Sequence, residues 1–266
     1  MPTRGGIYYE SSGKGPLVVL AHGSWSDQKT WRQLVAQLAA SYRVVTYDRR
    51  GYGQSEGGPP KLHAEEAQDL TALLGALESG PAHLVGNSIG GTIALRVGLS
   101  RPELVRSLAL HEPPLMGLLR LAPDGREVFR EQKTVMTDVI ARLAAGDNEG
   151  GARIFIDNVA FYPGMWETLP VNVRQTFTRY GPNFLAEAND PSRLEADPAV
   201  LKTLRPPLLL TWGDKSPPWL LRVEELLHES VPGSSRRQIH GAGHVPQVTH
   251  PREYAQALNA FWLSLR

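Results

Sequence analysis

Short apolar runs recur along the chain and are separated by segments in which apolar and polar residues mix. Five runs of five or six residues lie at 16–21, 42–47, 82–86, 105–110 and 207–211. Continuous, largely apolar strands of this length are typical of a parallel sheet that is buried on both faces. The pattern therefore predicts a sheet whose strands are mainly parallel.

The segments between these runs have the spacing of amphipathic helices. In two of them apolar residues occupy positions i, i+3, i+4 and i+7, and a similar stripe lies near the carboxyl terminus. These positions are Trp31, Leu34, Val35 and Leu38; Leu70, Leu73, Leu74 and Leu77; and Tyr254, Leu258, Phe261, Trp262 and Leu265. Strands that alternate with such helices predict an α/β fold with a mostly parallel, doubly wound sheet.

The alternation breaks between about Pro113 and Pro207, where helix-compatible segments and loops replace the apolar runs. We therefore predict one α/β core formed by residues 1–112 and 207–266, interrupted by a helical insertion at residues 113–206. The insertion contains eight of the 20 aromatic residues of the chain. Each is expected first of all to pack within the insertion, and the alternative is that a few of them roof a pocket over the sheet.

Composition narrows the classes of partner and of chemistry. The chain has 28 basic and 27 acidic residues, a net charge of +1 and no run of five like charges. The expected partner is therefore a small molecule, and neither nucleic acid nor a membrane surface is expected as a partner. No stretch approaches about 18 consecutive apolar residues, and residues 1–15 lack the apolar segment of a signal peptide, so the default expectation is a cytoplasmic location.

The absence of cysteine excludes disulfide bonds, thiolate metal ligands and a cysteine nucleophile. No spaced cluster of histidine and carboxylate residues has the pattern of a metal site, and no G-x-G-x-x-G motif opens a helix. We therefore expect neither a metal nor a nucleotide cofactor.

The most informative motif is the G-x-S-x-G pentapeptide at residues 86–90, in which Ser88 is the central residue. Alone it is a weak signal, because glycine and serine are common residues. Here it directly follows a predicted strand and opens a predicted helix, and on that sharp turn a serine hydroxyl is raised clear of the sheet. Ser88 is therefore the candidate nucleophile.

A serine hydroxyl needs an adjacent base to attack a carbonyl at neutral pH. His244 lies in a glycine-containing loop that follows a strand expected at 236–240, before the last helix. We predict His244 as the base, and His240 is the competing histidine. Backbone N–H groups of Ile89 and Ser24 are the expected donors to an oxyanion, with Gly23 as the alternative to Ser24.

Four blocks of sequence together resemble the ordered signatures of the α/β-hydrolase superfamily. They are His22-Gly23-Ser24-Trp25, Asp48-Arg49-Arg50-Gly51-Tyr52-Gly53-Gln54-Ser55, Gly86-Asn87-Ser88-Ile89-Gly90-Gly91 and Gly243-His244. The resemblance implies the α/β-hydrolase fold, a structural turn at the second block and a role for the insertion as a helical cap. Dehalogenases and epoxide hydrolases of this superfamily carry an aspartate where this chain has Ser88, so those activities are disfavoured.

The acid that would orient the histidine has two candidates. In the superfamily the pattern G-x-x-D follows the penultimate strand, but here Ser216 takes the acid position and Asp214 lies two residues earlier. A shift of two residues moves a carboxylate by up to about 7 Å. Glu112 follows the strand after the nucleophile helix, and the chain resembles a lactone-hydrolysing branch that carries its acid there. We therefore predict Glu112 as the acid and keep Asp214 as the alternative.

The combined prediction is a serine hydrolase that cleaves a carboxylic ester or lactone through an acyl-enzyme on Ser88. Aromatic residues expected to contact the substrate are Trp25, Phe161, Tyr162 and Trp166. The alternatives are acyltransfer, perhydrolysis or C–C bond hydrolysis by the same residues, or a ligand sensor with little turnover. The chain is expected to be a monomer or a homodimer.

Overall fold

A computed structural model describes residues 5–58, 62–190 and 192–265. The predicted core boundaries at residues 1 and 266 lie outside the described residues. Seven strands form one sheet in the order β1-β3-β2-β4-β5-β6-β7, and every neighbouring pair is parallel except β1 with β3. They are β1 Tyr9–Ser12, β2 Leu17–Ala21, β3 Arg43–Tyr47, β4 Ala82–Asn87, β5 Val105–His111, β6 Leu208–Gly213 and β7 Ser235–Ile239. The predicted mostly parallel α/β fold is confirmed.

The five apolar runs correspond to β2 to β6, and β7 lies at the strand expected at 236–240, so β1 is the one strand that was not predicted. It lies at the edge of the sheet, and its residues Glu10, Ser11 and Ser12 are exposed. An edge strand with a polar, solvated surface carries no apolar run, so its sequence resembles that of a loop. Every residue of β2 and β4, by contrast, is buried, as the apolar runs predicted.

Helices connect the parallel strands and cover both faces of the sheet. They are α1 Arg32–Leu38, α2 His63–Ala76, α3 Ile89–Ser100, α4 Met116–Leu121, α5 Arg126–Ala144, α6 Asn148–Phe155, α7 Met165–Thr168, α8 Val171–Arg179, α9 Gly181–Ala188, α10 Pro198–Leu201, α11 Pro218–Ser230, α12 Pro246–Thr249 and α13 Pro251–Ser264. Short 3-10 helices lie at Gln28–Trp31 and Pro102–Leu104, and a π-helical turn at Ile156–Ala160 follows α6. None of the helices in the described ranges has both the length and the apolar character needed to cross a bilayer.

The two faces of the sheet bury separate apolar clusters. Consecutive residues of β2 alternate between them: Val18 packs in the cluster with α1 and α13, whereas Val19 packs in the cluster with α2, α3 and α11. Since successive side chains of a strand point to opposite faces, a fully apolar strand is what a sheet covered on both faces requires.

The helical insertion contains α4 to α10, and its described residues form helices and connecting turns without a strand. Its buried residues belong to the same apolar cluster as one face of the sheet, including Met136, Val139 and Phe184. The insertion thus packs directly on the core. Its role as a cap stays a prediction.

A turn after β3 connects the core to the insertion. The buried Asp48 carboxylate accepts hydrogen bonds from the backbone N–H groups of Gln28 and Gln54, each at 2.8 Å. Gly53 has a φ of +54°, and a β-carbon there would overlap this carboxylate. The turn therefore needs both the acid and the glycine, in agreement with the structural role implied for the second sequence block.

Next to this turn Arg49 forms a buried ionic link between the core and the insertion. Its Nε donates to Glu66 on α2 at 2.8 Å, and its Nη2 pairs with Glu187 on α9. The three side chains are each at most 3% exposed. The Tyr52 hydroxyl also donates to Glu187, at 2.7 Å. Removing the shared guanidinium would leave two buried carboxylates without their counter-ion.

We expect Arg49→Met to lower the free energy of unfolding by about 3–5 kcal/mol, because uncompensated buried charge is strongly destabilising. The matched control is the neighbouring Arg50→Met. Arg50 pairs with Asp69 and Glu65 at a partly solvated site, where the expected cost is about 1 kcal/mol or less. Urea unfolding followed by circular dichroism measures both, and equal losses would contradict the buried role of Arg49.

Candidate active site

Ser88 lies at the sharp turn between β4 and α3, with φ of 55° and ψ of −128°. A non-glycine residue with positive φ is strained and is retained where the surrounding structure enforces it. A β-carbon at Gly86 would lie 2.5 Å from the backbone of residues 90 and 91, and one at Gly90 would overlap the backbone of Ala21. The two glycines of the motif are therefore required for this turn.

Ser88 is half-buried and lines a cavity of about 40 Å³ between the sheet and the insertion. The cavity is lined by Ser24, Ser88, Ile89, Pro114, Met116, Met136, Phe155, Val159, Ala160, Phe184, Arg193, Leu194, Trp219, Leu220 and His244. Most of these side chains are apolar. The cavity therefore suits a small and largely apolar group placed against the Ser88 hydroxyl.

The loop after β2 is held by His22, which is fully buried. Its Nε2 accepts from the backbone N–H of Arg49 at 3.0 Å, so the ring proton is on Nδ1, which lies 2.8 Å from the Gly23 carbonyl oxygen. Burial, together with the nearby Arg49 charge, lowers the pKa of His22 to about 3. His22 thus stays neutral at neutral pH and acts as a structural clamp on the loop.

This loop passes close to the nucleophile turn. A β-carbon on Gly23 would lie 3.2 Å from the Ser88 β-carbon, so glycine allows the close approach. The Ser24 hydroxyl donates to Glu187 of the insertion at 2.5 Å. In the described part of the chain the backbone N–H groups of Ser24 and Ile89 have no backbone or side-chain acceptor. Both residues line the cavity, where such free donors can face a ligand oxygen.

His244 lies in the loop between β7 and α12 and is 7% exposed. Its backbone carbonyl accepts from Asn87 Nδ2 at 2.8 Å, and Asn87 Oδ1 accepts from Gln247 Nε2 at 3.2 Å. The residue before Ser88 thereby holds the loop that carries the histidine. Ser88 and His244 line the same cavity, although the described residues include no hydrogen bond between their side chains.

Glu112 follows β5, is fully buried and has a φ of +47°. Its Oε2 lies 2.7 Å from His244 Nδ1, and its Oε1 accepts from the backbone N–H of Gly213 at 2.9 Å. The carboxylate therefore joins the ends of two neighbouring strands to the histidine loop. A proton on Nδ1 leaves His244 Nε2 free to accept one.

The Glu112 carboxylate stays ionised at neutral pH. Burial by itself would raise its pKa, but the adjacent His111 and His244 rings outweigh that effect and lower the pKa of Glu112 to about 2. His111 Nε2 lies 3.4 Å from Glu112 Oε1, and burial lowers the pKa of His111 to about 4. His111 is thus neutral, and Glu112 carries the negative charge of this cluster.

Asp214, the alternative acid, contacts the beginning of the histidine loop. Its Oδ1 accepts from the backbone N–H of Gly241 at 2.7 Å, and its Oδ2 lies 3.8 Å from His240 Nδ1. The His240 side chain is 83% exposed. Among the described contacts, Asp214 has none with His244. Through its hydrogen bond with Gly241, Asp214 instead stabilises the turn that precedes His244.

The four aromatic residues expected to contact substrate are not among the described residues that line the cavity. Trp25 and Trp166 are each 1% exposed, and Trp25 stacks on Phe184 with ring centroids 4.6 Å apart. Tyr162 is 54% exposed, and the Phe161 ring lies 6.3 Å from that of His244. The Trp25 ring packs against the insertion and the Trp166 ring packs against Phe177 within the insertion, which explains why neither lines the cavity. Contact of the four residues with a substrate stays a prediction.

The aromatic side chains that do line the cavity are Phe155, Phe184 and Trp219. Sequence reasoning also missed Asn87 and Arg193. Asn87 occupies a variable position of the motif, and only its hydrogen bond to the His244 loop distinguishes it. Nothing in the local sequence of Arg193 marks it, since its position in the cavity is set by the packing of the insertion.

Comparison with known proteins agrees with this architecture. The sequence model of the alpha/beta hydrolase family matches residues 18–257. "Uncharacterized hydrolase YraK" of Bacillus subtilis is 36% identical over 119 residues, which are 42% of this chain and 43% of YraK. "Putative carbamate hydrolase RutD" of Pantoea ananatis is 29% identical over 262 residues, covering 92% of this chain and 89% of RutD. The chain thus spans less than half of YraK and most of RutD.

Among solved structures, the enol-lactonase from Burkholderia xenovorans superposes with a TM-score of 0.78 at 18% sequence identity. The superposition covers 97% of this chain and 96% of the enol-lactonase. At that level of identity the similarity is one of fold.

Proposed function

Because this chain belongs to the alpha/beta hydrolase family, we propose that it is a serine hydrolase that cleaves a carboxylic ester or lactone. One observation carries the proposal. The ionised carboxylate of Glu112 lies 2.7 Å from Nδ1 of His244, and this histidine shares one small cavity with Ser88. A nucleophile, a base and an acid that orients the base are the groups that acyl transfer requires.

In the first half-reaction Ser88 Oγ attacks the carbonyl carbon while His244 Nε2 takes the hydroxyl proton. The N–H groups of Ser24 and Ile89 stabilise the negative oxygen that forms. His244 then returns the proton to the leaving alcohol oxygen as the C–O bond breaks. The acyl group stays on Ser88, and Glu112 stabilises the imidazolium that exists between the two proton transfers.

In the second half-reaction a water molecule replaces the alcohol. His244 takes a proton from the water, whose oxygen attacks the acyl-enzyme carbonyl, and the same N–H groups stabilise the second oxyanion. The proton then passes from His244 to Ser88 Oγ as the acyl–oxygen bond breaks. The products are a carboxylic acid and the regenerated serine. Every step uses groups of the protein and water.

Glu112, rather than Asp214, is the proposed acid. Its two oxygens contact His244 and the Gly213 N–H, so the carboxylate is held on both sides within a buried site. Asp214 Oδ1 is occupied by the Gly241 N–H, and its side chain is 32% exposed. A buried carboxylate that is held by two hydrogen bonds orients an imidazole better than a partly solvated carboxylate does.

The helical insertion is the proposed cap, which selects substrates by size. The cavity of about 40 Å³ is small. The acyl or alcohol group that enters it is therefore short. Phe155, Val159 and Phe184 of the insertion supply an apolar wall for this group.

Carbamate hydrolysis is a second candidate, favoured by the match to RutD over 92% of this chain. The same serine would attack the carbonyl of a carbamate ester, and the alcohol would leave with the proton from His244. Water would then hydrolyse the carbamoyl-serine to a carbamic acid, which decomposes to carbon dioxide and an amine or ammonia. Release of ammonia from simple carbamates, measured beside ester hydrolysis on the same preparation, ranks the two activities.

Covalent labelling tests the proposed nucleophile. We expect a small alkyl fluorophosphonate to add one phosphonyl group to Ser88, detected by mass spectrometry of the intact protein and of its peptides. The reaction needs the same activated hydroxyl and oxyanion donors as ester hydrolysis. Heat-unfolded protein is the control. Folded protein that gains no adduct at Ser88 would refute the proposed function.

A further inference from the structure

One charged side chain in the cavity has no role in the proposed chemistry. Arg193 follows α9 in the insertion, is 6% exposed and lines the same cavity as Ser88 and His244. It is the only Lys, Arg, Asp or Glu among the described residues that line this cavity. A cationic group therefore lies in an otherwise largely apolar space, next to the groups that would perform acyl transfer.

Within the described part of the chain, Arg193 has no ion pair within 4.0 Å and its buried Nη1 has no hydrogen-bond partner. Arg49, which is also buried, differs in its ion pairs with Glu66 and Glu187, although its Nη1 likewise has no hydrogen-bond partner. The guanidinium carbon of Arg193 lies 5.0 Å from the centroid of the Phe184 ring.

The carboxylate nearest to Arg193 in sequence is already engaged elsewhere. Asp190 Oδ2 accepts from the backbone N–H of His63 at 2.6 Å, and Asp190 Oδ1 accepts from the backbone and hydroxyl of Ser192 at 2.9 and 2.8 Å. Glu187 is likewise occupied by Arg49, Tyr52 and Ser24. The local acids thus form their own network, and the Asp190 and Glu66 charges act on Arg193 only from beyond ion-pair distance.

A buried guanidinium is costly to leave unpaired, and its planar donors match a carboxylate in two-point geometry. Burial lowers the pKa of Arg193 only to about 10, so the group remains charged at neutral pH. A ligand that enters the cavity with a negative group would supply the missing partner.

We propose that Arg193 is a specificity-determining residue that binds a carboxylate of the substrate. The preferred substrate is then a short ester or lactone that carries a second, ionised carboxyl group on its acyl or its alcohol part. This inference rests on the proposed hydrolysis, and it names the substrate class. The scissile carbonyl lies at Ser88, and the free carboxylate pairs with Arg193 on the insertion.

Two pairs of isosteric esters test the proposal and distinguish the two positions of the carboxylate. Monomethyl glutarate and methyl pentanoate differ only by carboxylate or methyl at the end of the acyl chain. In the same way 4-acetoxybutyrate and butyl acetate differ at the end of the alcohol. We expect kcat/KM to favour the anionic member of one pair by about 10- to 100-fold, the range expected for a hydrogen-bonded charge.

Arg193→Gln is expected to remove this preference, so that kcat/KM for the anionic and the neutral member of each pair agrees within about threefold. Arg193→Lys, which keeps the charge without the planar donors, is expected to retain part of it. Arg120→Gln is the matched control, because Arg120 lies on the same insertion in an exposed pair with Glu195. Circular dichroism reports whether each variant folds.

The comparison of the ester pairs with the wild-type protein tests the proposal even if Arg193→Gln does not fold. Equal kcat/KM for the two members of both pairs overturns the proposal. If no ester is hydrolysed, the proposed function fails. A measurement of ligand binding, which needs no hydrolysis, then tests the role of Arg193 separately. Calorimetry of glutarate with Ser88→Ala, and with Ser88→Ala combined with Arg193→Gln, provides that readout. Binding that weakens at least tenfold without Arg193 supports the proposal, and unchanged binding overturns it.

Discussion

Replacing Glu112 by glutamine is expected to lower kcat for ester hydrolysis by about 10⁴-fold, the scale seen when a triad acid is made neutral. The change preserves the size of the side chain and its acceptor for the Gly213 N–H. It removes the negative charge next to His244 Nδ1 and places an amide that can donate a hydrogen bond there. The histidine would then favour the wrong tautomer, and its imidazolium would lose its stabilising anion.

The matched control is Asp214→Asn, which makes the same chemical change at the alternative acid. Because Asp214 contacts the Gly241 N–H and not His244, kcat is expected to stay within about threefold of wild type, and stability is expected to fall slightly. Steady-state hydrolysis of a short ester measures both variants, and circular dichroism monitors folding. A large loss with Asp214→Asn and near-normal activity with Glu112→Gln would reverse the assignment.

The second large effect concerns the nucleophile and the base. Ser88→Ala and His244→Ala are each expected to lower kcat by about 10⁶-fold, as in a serine protease whose triad was removed in the same way. The double variant is expected to be no slower than either single one. The two residues act as one unit, so that either loss removes the activated hydroxyl.

His240→Ala is the control for this prediction, because His240 lies in the same loop four residues earlier and its side chain is 83% exposed. Its activity is expected to equal that of wild type within about threefold. Single-turnover hydrolysis, measured with the variants at high enzyme concentration, provides the necessary range. A loss of kcat in the double variant that equals the sum of the two single losses in free energy would contradict a shared step. A large loss of kcat in His240→Ala would identify His240 as the base.

Most of the core was predictable from local patterns. The central strands are buried on both faces, so their apolar runs were visible without knowledge of the fold. Helices α1 and α13 present the predicted apolar stripes to the sheet, except for Leu265, which follows α13 and is exposed. The nucleophile turn was predictable for a related reason. Its two glycines are demanded by close backbone contacts within and beside the turn, and these appear in the sequence as a fixed spacing.

The edge strand and the cavity lining could not be predicted in this way. Tyr9–Ser12 is a strand because it pairs with β3, and its own residues are polar and largely exposed. Trp25 and Trp166 are aromatic residues of the kind expected to contact a substrate. Trp25, however, packs against Phe184 of the insertion, and Trp166 packs against Phe177 within the insertion. Burial against another segment of the chain decided their role, and no local pattern carries that information.

The sequence by itself determined the α/β-hydrolase fold, the serine at the nucleophile turn and a short set of residues from which a base and an acid could be drawn. The tertiary structure decided the contacts among them. Glu112 and His244 are 132 residues apart, and only the folded loops bring their side chains to 2.7 Å. Arg193 is the converse case, because it has no ion pair among the described residues. That absence can be recognised only from the positions of all its neighbours in the folded chain. Periodicity and steric demands on glycine act over a few residues and can be read locally, whereas pairing of charges depends on distances that the whole fold sets.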